Sequence, residues 1–103
     1  MSFEKIELSA LHAEPFEMIG RRWMLVTAEK EGKVNTMTAS WGGVGVLWGK
    51  PVATAYIRPQ RYTKQFVDEQ EYFTLSFLPE SQRGNLSYCG RVSGRDEDKI
   101  AHC

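Results

Sequence analysis

Tight turns between short strand-forming runs constrain this sequence more than any other feature. The turn signals are Glu31-Gly32-Lys33 and Gly49-Lys50-Pro51, while Pro59 and Pro79 end two further runs. Strand-forming or apolar residues fill the intervals at 22–29, 34–40, 41–48, 52–58 and 72–78. Parallel strands need long crossover connections, whereas short turns join antiparallel strands. The sequence therefore predicts a mainly β fold with short helices, in which about five strands form an antiparallel sheet or barrel.

Short helices are predicted between and after these strands. The spacing of apolar residues predicts one helix over about 62–70, and a second is expected over 80–88. Ser93 followed by Asp96 is a capping pattern, which predicts that a last helix begins there. Near the N-terminus, Pro15 excludes a long helix.

The charge balance excludes several classes of partner. Lys plus Arg number 13 and Asp plus Glu number 13, so the formal net charge is zero. General nucleic-acid binders and polybasic membrane anchors carry an excess of positive charge, which this chain lacks. No apolar run approaches the roughly 18 residues that span a bilayer, and the N-terminus does not resemble a secretory signal. We therefore expect a single cytoplasmic domain over residues 1–103, of which 42% are hydrophobic.

The cysteines and histidines give no sign of a metal or nucleophilic site. Cys89 and Cys103 form no CxxC pair, and no Cys/His cluster has zinc spacing. His12 and His102 stand near opposite ends of the chain, so no Ser-His-Asp or Cys-His arrangement is indicated. We expect Cys89 to be a small buried residue rather than a redox thiol. The sequence predicts neither a metal ligand nor a catalytic side chain.

The segment between residues 35 and 41 combines small polar side chains with an indole. It contains Asn35, Thr36, Thr38, Ala39, Ser40 and Trp41. Small side chains let a flat heterocycle approach the backbone N–H and C=O groups, and hydroxyls and amides offer hydrogen bonds without bulk. The alternative is a Thr-rich exposed strand, because threonine favours strands.

The segment between residues 58 and 63 joins a predicted strand to a predicted helix. Arg58 and Arg61 bring two guanidinium groups beside Tyr62 and the Thr63 hydroxyl. Arginine grips phosphate through paired hydrogen bonds, and a helix start favours negative charge. The segment therefore predicts a phosphate site, with solvated arginines beside a helix start as the alternative.

Two further segments are predicted to have structural roles. The run from Gly42 to Trp48 is not a dinucleotide fingerprint, because Trp48 stands where the last glycine should be and no helix follows. We interpret its glycines as bends or close backbone approaches in a curved sheet. The charges between residues 91 and 99 are interpreted as a solvated helix face.

Taken in order, these segments resemble the flavin reductase-like family, including its flavoredoxin branch. The matching residues are 15–20, 23–27, 35–41, 50–51, 57–58, 61–63, 88–90, 93–96 and 98–99. The resemblance implies an FMN-binding split β-barrel that forms a homodimer. It also implies that Asn35 and Thr36 lie near the ribityl chain or phosphate. Residues 38–41 would then face the isoalloxazine, and Arg58, Arg61, Tyr62 and Thr63 would hold the phosphate.

The resemblance also implies an activity. Electrons would pass from NADH or NADPH through the flavin to an acceptor, and the cofactor would supply that chemistry. The alternatives are a non-catalytic flavin binder or electron carrier, a β-barrel module without flavin, and a truncated domain without activity. Because family members are typically longer, we expect the natural domain to have further strands after residue 96.

Overall fold

The computed structural model describes residues 4–12 and 14–102. Its strands are β1 (Met24–Lys30), β2 (Lys33–Ala39), β3 (Gly42–Leu47), β4 (Lys50–Ala55) and β5 (Thr74–Ser76). Its α-helices are α1 (Thr63–Glu69), α2 (Arg83–Arg91) and α3 (Lys99–His102). Short 3-10 helices cover Leu8–Ala10 and Glu80–Gln82, and a π-helix covers Phe16–Arg21. The described residues thus form the five strands and the mainly β fold that the sequence predicts.

The hairpin of β1 and β2 forms the centre of the main sheet. All seven residues of β1 pair antiparallel with β2, from Met24 opposite Ala39 to Lys30 opposite Lys33. Glu31 and Gly32 connect the strands with φ values of 52° and 81°. Two central residues with positive φ define the turn type whose twist matches that of the flanking strands. The predicted hairpin is therefore confirmed, and its register is set by a two-residue turn.

β5 completes this sheet on the other side of β1, in the order β2-β1-β5. Residues 72–78 were expected to form one strand, but only Thr74–Ser76 pairs with β1. The residues on either side have strand-forming side chains but no partner in β1, and most of them are exposed. The strand therefore ends where its pairing ends, although strand propensity continues beyond that point. The core cluster lies on one face of the sheet and comprises Ile19, Met24, Val26, Met37 and Ala39.

β3 and β4 form a separate two-stranded sheet, with six antiparallel pairs from Gly42–Ala55 to Leu47–Lys50. The turn consists of Trp48 and Gly49, both with positive φ, and not of residues 49–51 as predicted. Lys50 and Pro51 already belong to β4, because the Leu47–Lys50 pair closes the ladder. The outer half of this hairpin is exposed.

The helices pack against the β1–β2 hairpin. α1 and α2 confirm the two helices expected after Pro59 and Pro79. The last helix begins at Lys99 instead of near Ser93, where the capping pattern had placed it. The chain turns after Ser93, and the Asp98 carboxylate accepts from the Ala101 N–H at 3.1 Å. Asp98 is therefore the residue that caps α3.

Arg83 fixes the π-helix against α2. Its guanidinium donates to the carbonyl oxygen of Arg21 at 2.6 Å and lies 3.6 Å from the ring centroid of Trp23. The bond from the Arg22 N–H to the Glu17 carbonyl, at 2.9 Å, gives the helix its wide turn. This anchoring brings Phe16 and Gly20 beside the junction between β2 and β3.

Gly32→Ala should lower the free energy of unfolding by about 1–2 kcal/mol, because a Cβ disfavours its left-handed backbone. No atom lies within 4 Å of the added carbon, so the loss of stability reports the cost of the left-handed backbone and not a steric clash. Gly84→Ala is the matched control, since Gly84 lies in α2 without a positive φ and with equally open space. Urea unfolding of both variants measures the difference. Equal effects at the two glycines would contradict the assigned turn.

Candidate functional site

β2 carries four of the ten predicted site residues. Asn35, Thr36, Thr38 and Ala39 belong to it, and Ser40 and Trp41 follow directly. β2 is the outer strand of its sheet among the described strands, so the backbone groups on one of its edges are not paired in that sheet. The structure thus presents an open backbone edge along this segment.

Asn35 joins β2 to the start of α1. Its side-chain amide donates to the Thr63 hydroxyl at 2.8 Å, and both residues are buried. Gly94 packs against the Asn35 side chain so closely that a Cβ at this position would overlap it. Asn35 and Thr63 therefore hold the site together from within, and their predicted contact with a ligand stays a prediction.

The threonine hydroxyls of β2 are also engaged within the protein. The Thr36 hydroxyl lies 2.8 Å from that of its cross-strand partner Thr27, and the Thr38 hydroxyl donates to the Leu86 carbonyl of α2. Such a close approach is typical of a non-hydrogen-bonded pair, in which the two residues exchange no backbone hydrogen bonds. The backbone N–H and C=O groups of Thr36 therefore point away from β1, towards the open edge. By strand alternation, those of Thr38 point to the same edge.

Arg58 and Arg61 lie in the connection between β4 and α1. The Arg61 N–H donates to the Arg58 carbonyl at 3.1 Å, which turns the chain, and the Arg58 guanidinium lies 5.8 Å from the Trp41 ring centroid. Burial, and next the charge of Arg58, lower the pKa of Arg61 below its usual value. The two guanidiniums therefore concentrate positive charge beside the end of β2.

Tyr62 stands at the start of α1, between two cations. Lys33 Nζ donates to its hydroxyl at 3.1 Å and lies 5.0 Å from its ring centroid. Arg95 approaches the same ring to 5.2 Å. Tyr62 is fixed by these contacts and by its edge-on packing against Phe66.

Three neighbouring cavities connect these residues. The central cavity, of about 120 Å³, is lined by residues 37–41 together with Tyr56, Arg58 and Arg61. The cationic cavity, of about 210 Å³, shares Arg61 with it and is lined by residues 60–63, residues 90–93 and Lys99. The aromatic cleft, of about 460 Å³, shares Ser40, Trp41 and Tyr56 with the central cavity.

The cavities bring together eight of the ten predicted residues. Thr38, Ala39, Ser40 and Trp41 meet Arg58 and Arg61 in the central cavity, and Tyr62 and Thr63 line the cationic cavity. Asn35 and Thr36 line none of the three. The Asn35 side chain bonds to Thr63 of α1 and the Thr36 hydroxyl to the Val26 carbonyl of β1, and their place beside the ribityl chain or phosphate stays a prediction.

Lys99 is a candidate site residue that the sequence analysis missed. It was assigned to a solvated helix face, but it is only 3% exposed, whereas its neighbours at 95–98 are exposed as expected. Its ammonium donates to the Thr36 carbonyl at 2.9 Å and to the Cys89 carbonyl at 2.8 Å. The open edge of β2 supplies the first of these acceptors, and local sequence gives no sign of that contact.

The charge of Lys99 is not balanced by a carboxylate among the residues that the structure describes. Burial, and next the charge of Arg61, lower the pKa of Lys99 below its usual value. A buried cation that carbonyl dipoles alone support favours a nearby anion. The cationic cavity therefore has the electrostatic character of an anion site.

Three further observations concern Cys89, clusters of potential metal ligands and the length of the helices. Cys89 is buried, as expected. Over residues 4–12 and 14–102, no cluster of three or more His, Cys, Asp or Glu side chains could hold a metal. In the same part of the chain, no helix has the length and apolar character needed to cross a membrane.

Comparison with solved structures shows what this arrangement is similar to. Flavoredoxin of Desulfovibrio vulgaris (Miyazaki F) is 28% identical, with a TM-score of 0.72 over 96% of this chain and 52% of that one. Flavoredoxin from Methanosarcina acetivorans is 26% identical, with a TM-score of 0.70 over 94% and 50%. The FMN-binding protein from Thermus thermophilus, solved with bound 1-cyclohex-2-enone, is 25% identical, with a TM-score of 0.72 over 98% and 53%.

The chain thus spans about half the length of these solved proteins. No curated protein sequence gives a significant match. The family model described as "Flavin reductase like domain" matches residues 16–103, which confirms the resemblance drawn from the sequence. The chain belongs to the flavin reductase-like domain family and has its antiparallel, mainly β split-barrel fold.

Proposed function

We propose that this domain binds FMN along the outer edge of β2, with the phosphate in the cationic cavity and the ring at the central cavity. The observation that carries the proposal is that three neighbouring cavities lie in a row and differ in charge. The positive charge of the lining residues decreases along this row, from Lys99 and Arg61 at one end to an aromatic wall without formal charge at the other. FMN has the same polarity, with an anionic phosphate at one end and a flat ring at the other.

The cationic cavity fits a phosphate by its charge and its donors. Lys99, Arg61 and Arg91 contribute three positive groups, and the Thr63 hydroxyl lies on the same wall. A phosphate dianion would compensate the buried ammonium of Lys99, which the described carboxylates leave unpaired. We assign the phosphate to this group of residues, which extends the sequence prediction by Lys99 and Arg91.

The central cavity fits the polar edge of a flavin ring. The backbone of Thr38 and the small residues Ala39 and Ser40 leave room for close approach, and backbone groups at a strand edge can both donate and accept. Because about 120 Å³ is less than a flat tricyclic ring needs, the ring extends towards the aromatic cleft. When bound, FMN would supply hydride and single-electron chemistry, while these residues orient it.

The proposed activity is transfer of electrons from NADH or NADPH to an acceptor by a cytoplasmic homodimer. Membership of the flavin reductase-like family supports the reductase part of this proposal. No side-chain acid or base is assigned, because a hydride step to a flavin requires none. The residues of this chain bind and orient the cofactor, and the second candidate is a flavin-binding electron carrier that does not react with nicotinamides.

The first test is an absorption spectrum after incubation with FMN and removal of excess by gel filtration. A flavin band that co-elutes with the protein supports the proposal. The elution volume shows whether the protein has the size of a dimer. A folded protein that retains no flavin contradicts the proposal. Near-UV circular dichroism on the same sample establishes whether the chain is folded.

Arg61→Ala should weaken FMN binding roughly ten- to a hundredfold but change riboflavin binding little, because charge-assisted hydrogen bonds contribute about 1.5–3 kcal/mol. Only FMN carries the phosphate that Arg61 is proposed to contact. Arg21→Ala is the control, because that side chain is exposed and pairs with Glu17 in the π-helix. Equal loss of both ligands in Arg61→Ala would refute the phosphate assignment.

FMN affinity should fall at alkaline pH more steeply than riboflavin affinity. In the free protein the lowered pKa means that Lys99 loses its proton before an ordinary lysine would. A bound dianion favours the charged form, so FMN binding above that pKa requires proton uptake and becomes weaker. Titrations of both ligands in wild type and Lys99→Met measure the effect. The difference in slope should vanish in the variant, and its persistence there would place the titrating group elsewhere.

Anaerobic addition of NADH or NADPH to the FMN-loaded protein should bleach the flavin band within the mixing time or shortly after. The control is free FMN at the same concentration, which should bleach far more slowly. If dithionite bleaches the bound flavin but neither nicotinamide does, the electron-carrier alternative is correct.

A further inference from the structure

The β3–β4 hairpin is the part of the fold that the rest of the described chain supports least. Its two strands pair with each other and with no other described strand. Val44, Val46, Leu47 and Trp48 are exposed along it. A two-stranded hairpin alone is at best marginally stable in water, and a contiguous exposed apolar surface marks an interaction site. The hairpin therefore needs a covering surface that the described residues do not supply.

Trp48, at the tip of this hairpin, is unfavourable in the isolated chain for two reasons. Its side chain is 89% exposed, and its backbone has a φ of 55° in the turn. Asn, Asp and Gly suit such a turn position, because the Cβ of other residues disfavours the left-handed backbone. Backbone strain of this kind points to a functional role of the residue. A contact that buries the indole would give Trp48 that role.

An apolar groove of about 580 Å³ runs along the same hairpin. Residues 43–46 and 51–54 line it, together with Met24 and Leu75 of the main sheet and the exposed Leu8 of the N-terminal segment. None of the residues that line this hairpin groove carries a charge. The tip residues Leu47 and Trp48 are not among them. The chain therefore has an exposed apolar tip and an open apolar groove that are separate from each other.

The accessible surface of the chain indicates how large a partner is needed. This surface is 7731 Å², whereas a folded monomer of the same mass exposes about 5900 Å². The excess is on the order of 1800 Å². Each subunit of an obligate dimer buries roughly 1000–2500 Å². A second copy of the chain matches the excess, whereas a small molecule in the groove would cover far less.

A twofold axis would bring the tip of each hairpin to the groove of the other. The ladder has six residue pairs, so the hairpin is roughly 20 Å long. Two hairpins that lie antiparallel across the axis place each tip beside the base of the other, and both contacts form together. Lys50 is the one charged residue between 42 and 55, so no like charges oppose each other at the centre. Glu14, exposed and next to Pro15 of the groove, offers a carboxylate to Lys50 of the partner subunit.

We propose that a second copy of this chain covers the hairpin groove, and that the two copies exchange hairpin tips. Leu47 and Trp48 of each copy insert into the groove of the other, so that one symmetric interface buries two indoles. This inference goes beyond the proposed function, which includes a homodimer but names no surface for it. It also does not depend on flavin binding, because Leu47 and Trp48 line none of the three cavities of the flavin site.

Two variants address the two halves of the contact. Trp48→Asn removes the indole and places in the turn a residue that suits its backbone. Gly45→Glu puts a carboxylate into the groove, where an added Cβ meets no atom of the same chain within 4 Å. Tyr72→Asn is the control for the loss of an exposed aromatic ring outside the hairpin. Gly84→Glu is the control for an added carboxylate in equally open space.

Sedimentation equilibrium over a range of protein concentrations measures the dissociation constant of the dimer. Wild type should form a dimer. Trp48→Asn and Gly45→Glu should each raise the dissociation constant at least about a hundredfold, because each substitution weakens two identical contacts at once. The controls Tyr72→Asn and Gly84→Glu should change it less than about threefold. Near-UV dichroism establishes that each variant is folded, and Trp48→Asn decides if Gly45→Glu is not.

Mixing the two weakened variants tests the exchange itself. A dimer of one Trp48→Asn chain and one Gly45→Glu chain retains one intact contact, since Trp48 of the second chain meets the unaltered groove of the first. The homodimer of either variant retains none. At a concentration at which each variant alone is monomeric, native mass spectrometry of the mixture should therefore detect the mixed dimer. Its absence would refute the exchange, because tips that contact each other gain nothing from mixing.

Other outcomes also overturn the inference. A wild-type protein that stays monomeric at millimolar concentration does so, as does a dimer that Trp48→Asn leaves intact. Assemblies that continue to grow beyond the dimer would show that the contact does not close on a twofold axis. Binding of monomeric wild type, but not of Trp48→Asn, to phosphatidylcholine vesicles would assign the tip to a lipid surface.

FMN co-elution on the same preparations separates this inference from the proposed function. A monomeric wild type that retains FMN refutes the exchange and leaves flavin binding intact. A wild-type dimer that Trp48→Asn dissociates, but that retains no FMN, supports the exchange and refutes the proposed flavin binding.

Discussion

The antiparallel ladder between β1 and β2 is the constraint on which the rest of the structure depends. It places Met24 and Val26 beside Met37 and Ala39 in the core, and leaves the other edge of β2 open among the described strands. α1, α2 and α3 all pack against this hairpin. A shift of one residue in the register would move each buried side chain to the opposite face, so the two-residue turn at Glu31 and Gly32 determines the site as well as the core.

Buried polar groups connect the open edge to the helices. Asn35 bonds to Thr63 of α1, the Thr38 hydroxyl bonds to Leu86 of α2, and Lys99 of α3 reaches the Thr36 carbonyl. Each contact satisfies a buried or half-buried polar group and at the same time fixes one helix against the strand. Lys99 differs from the other two because it brings a net charge into the interior. That charge makes the adjoining cavity suitable for an anion, so stability and ligand preference are coupled at this residue.

The sequence predicted the fold and much of the candidate site because both are recorded in local patterns. Turn residues and strand formers are sufficient to locate the hairpin of β1 and β2, and the segment that ends at Trp41 is recognisable from its small polar residues. The errors have local explanations too. The Ser93–Asp96 pattern fits a helix cap, but the chain uses Asp98, because Ser93 serves the turn that precedes α3. Likewise, the strand predicted at 72–78 is reduced to Thr74–Ser76, because only these three residues pair with β1.

What the sequence determined by itself is the succession of strands, turns and short helices, together with the family to which they belong. Only the tertiary structure decided that Lys99 is buried while its neighbours are exposed. Its ammonium is held by the Thr36 carbonyl, which is distant in sequence, and by the Cys89 carbonyl of the preceding helix. The tertiary structure alone also decided that Phe16 meets Trp41 and Tyr56 across a cleft. The physical reason is the same in both cases: burial and cavity shape arise from contacts between segments far apart in the chain, and no local pattern of residue types specifies them.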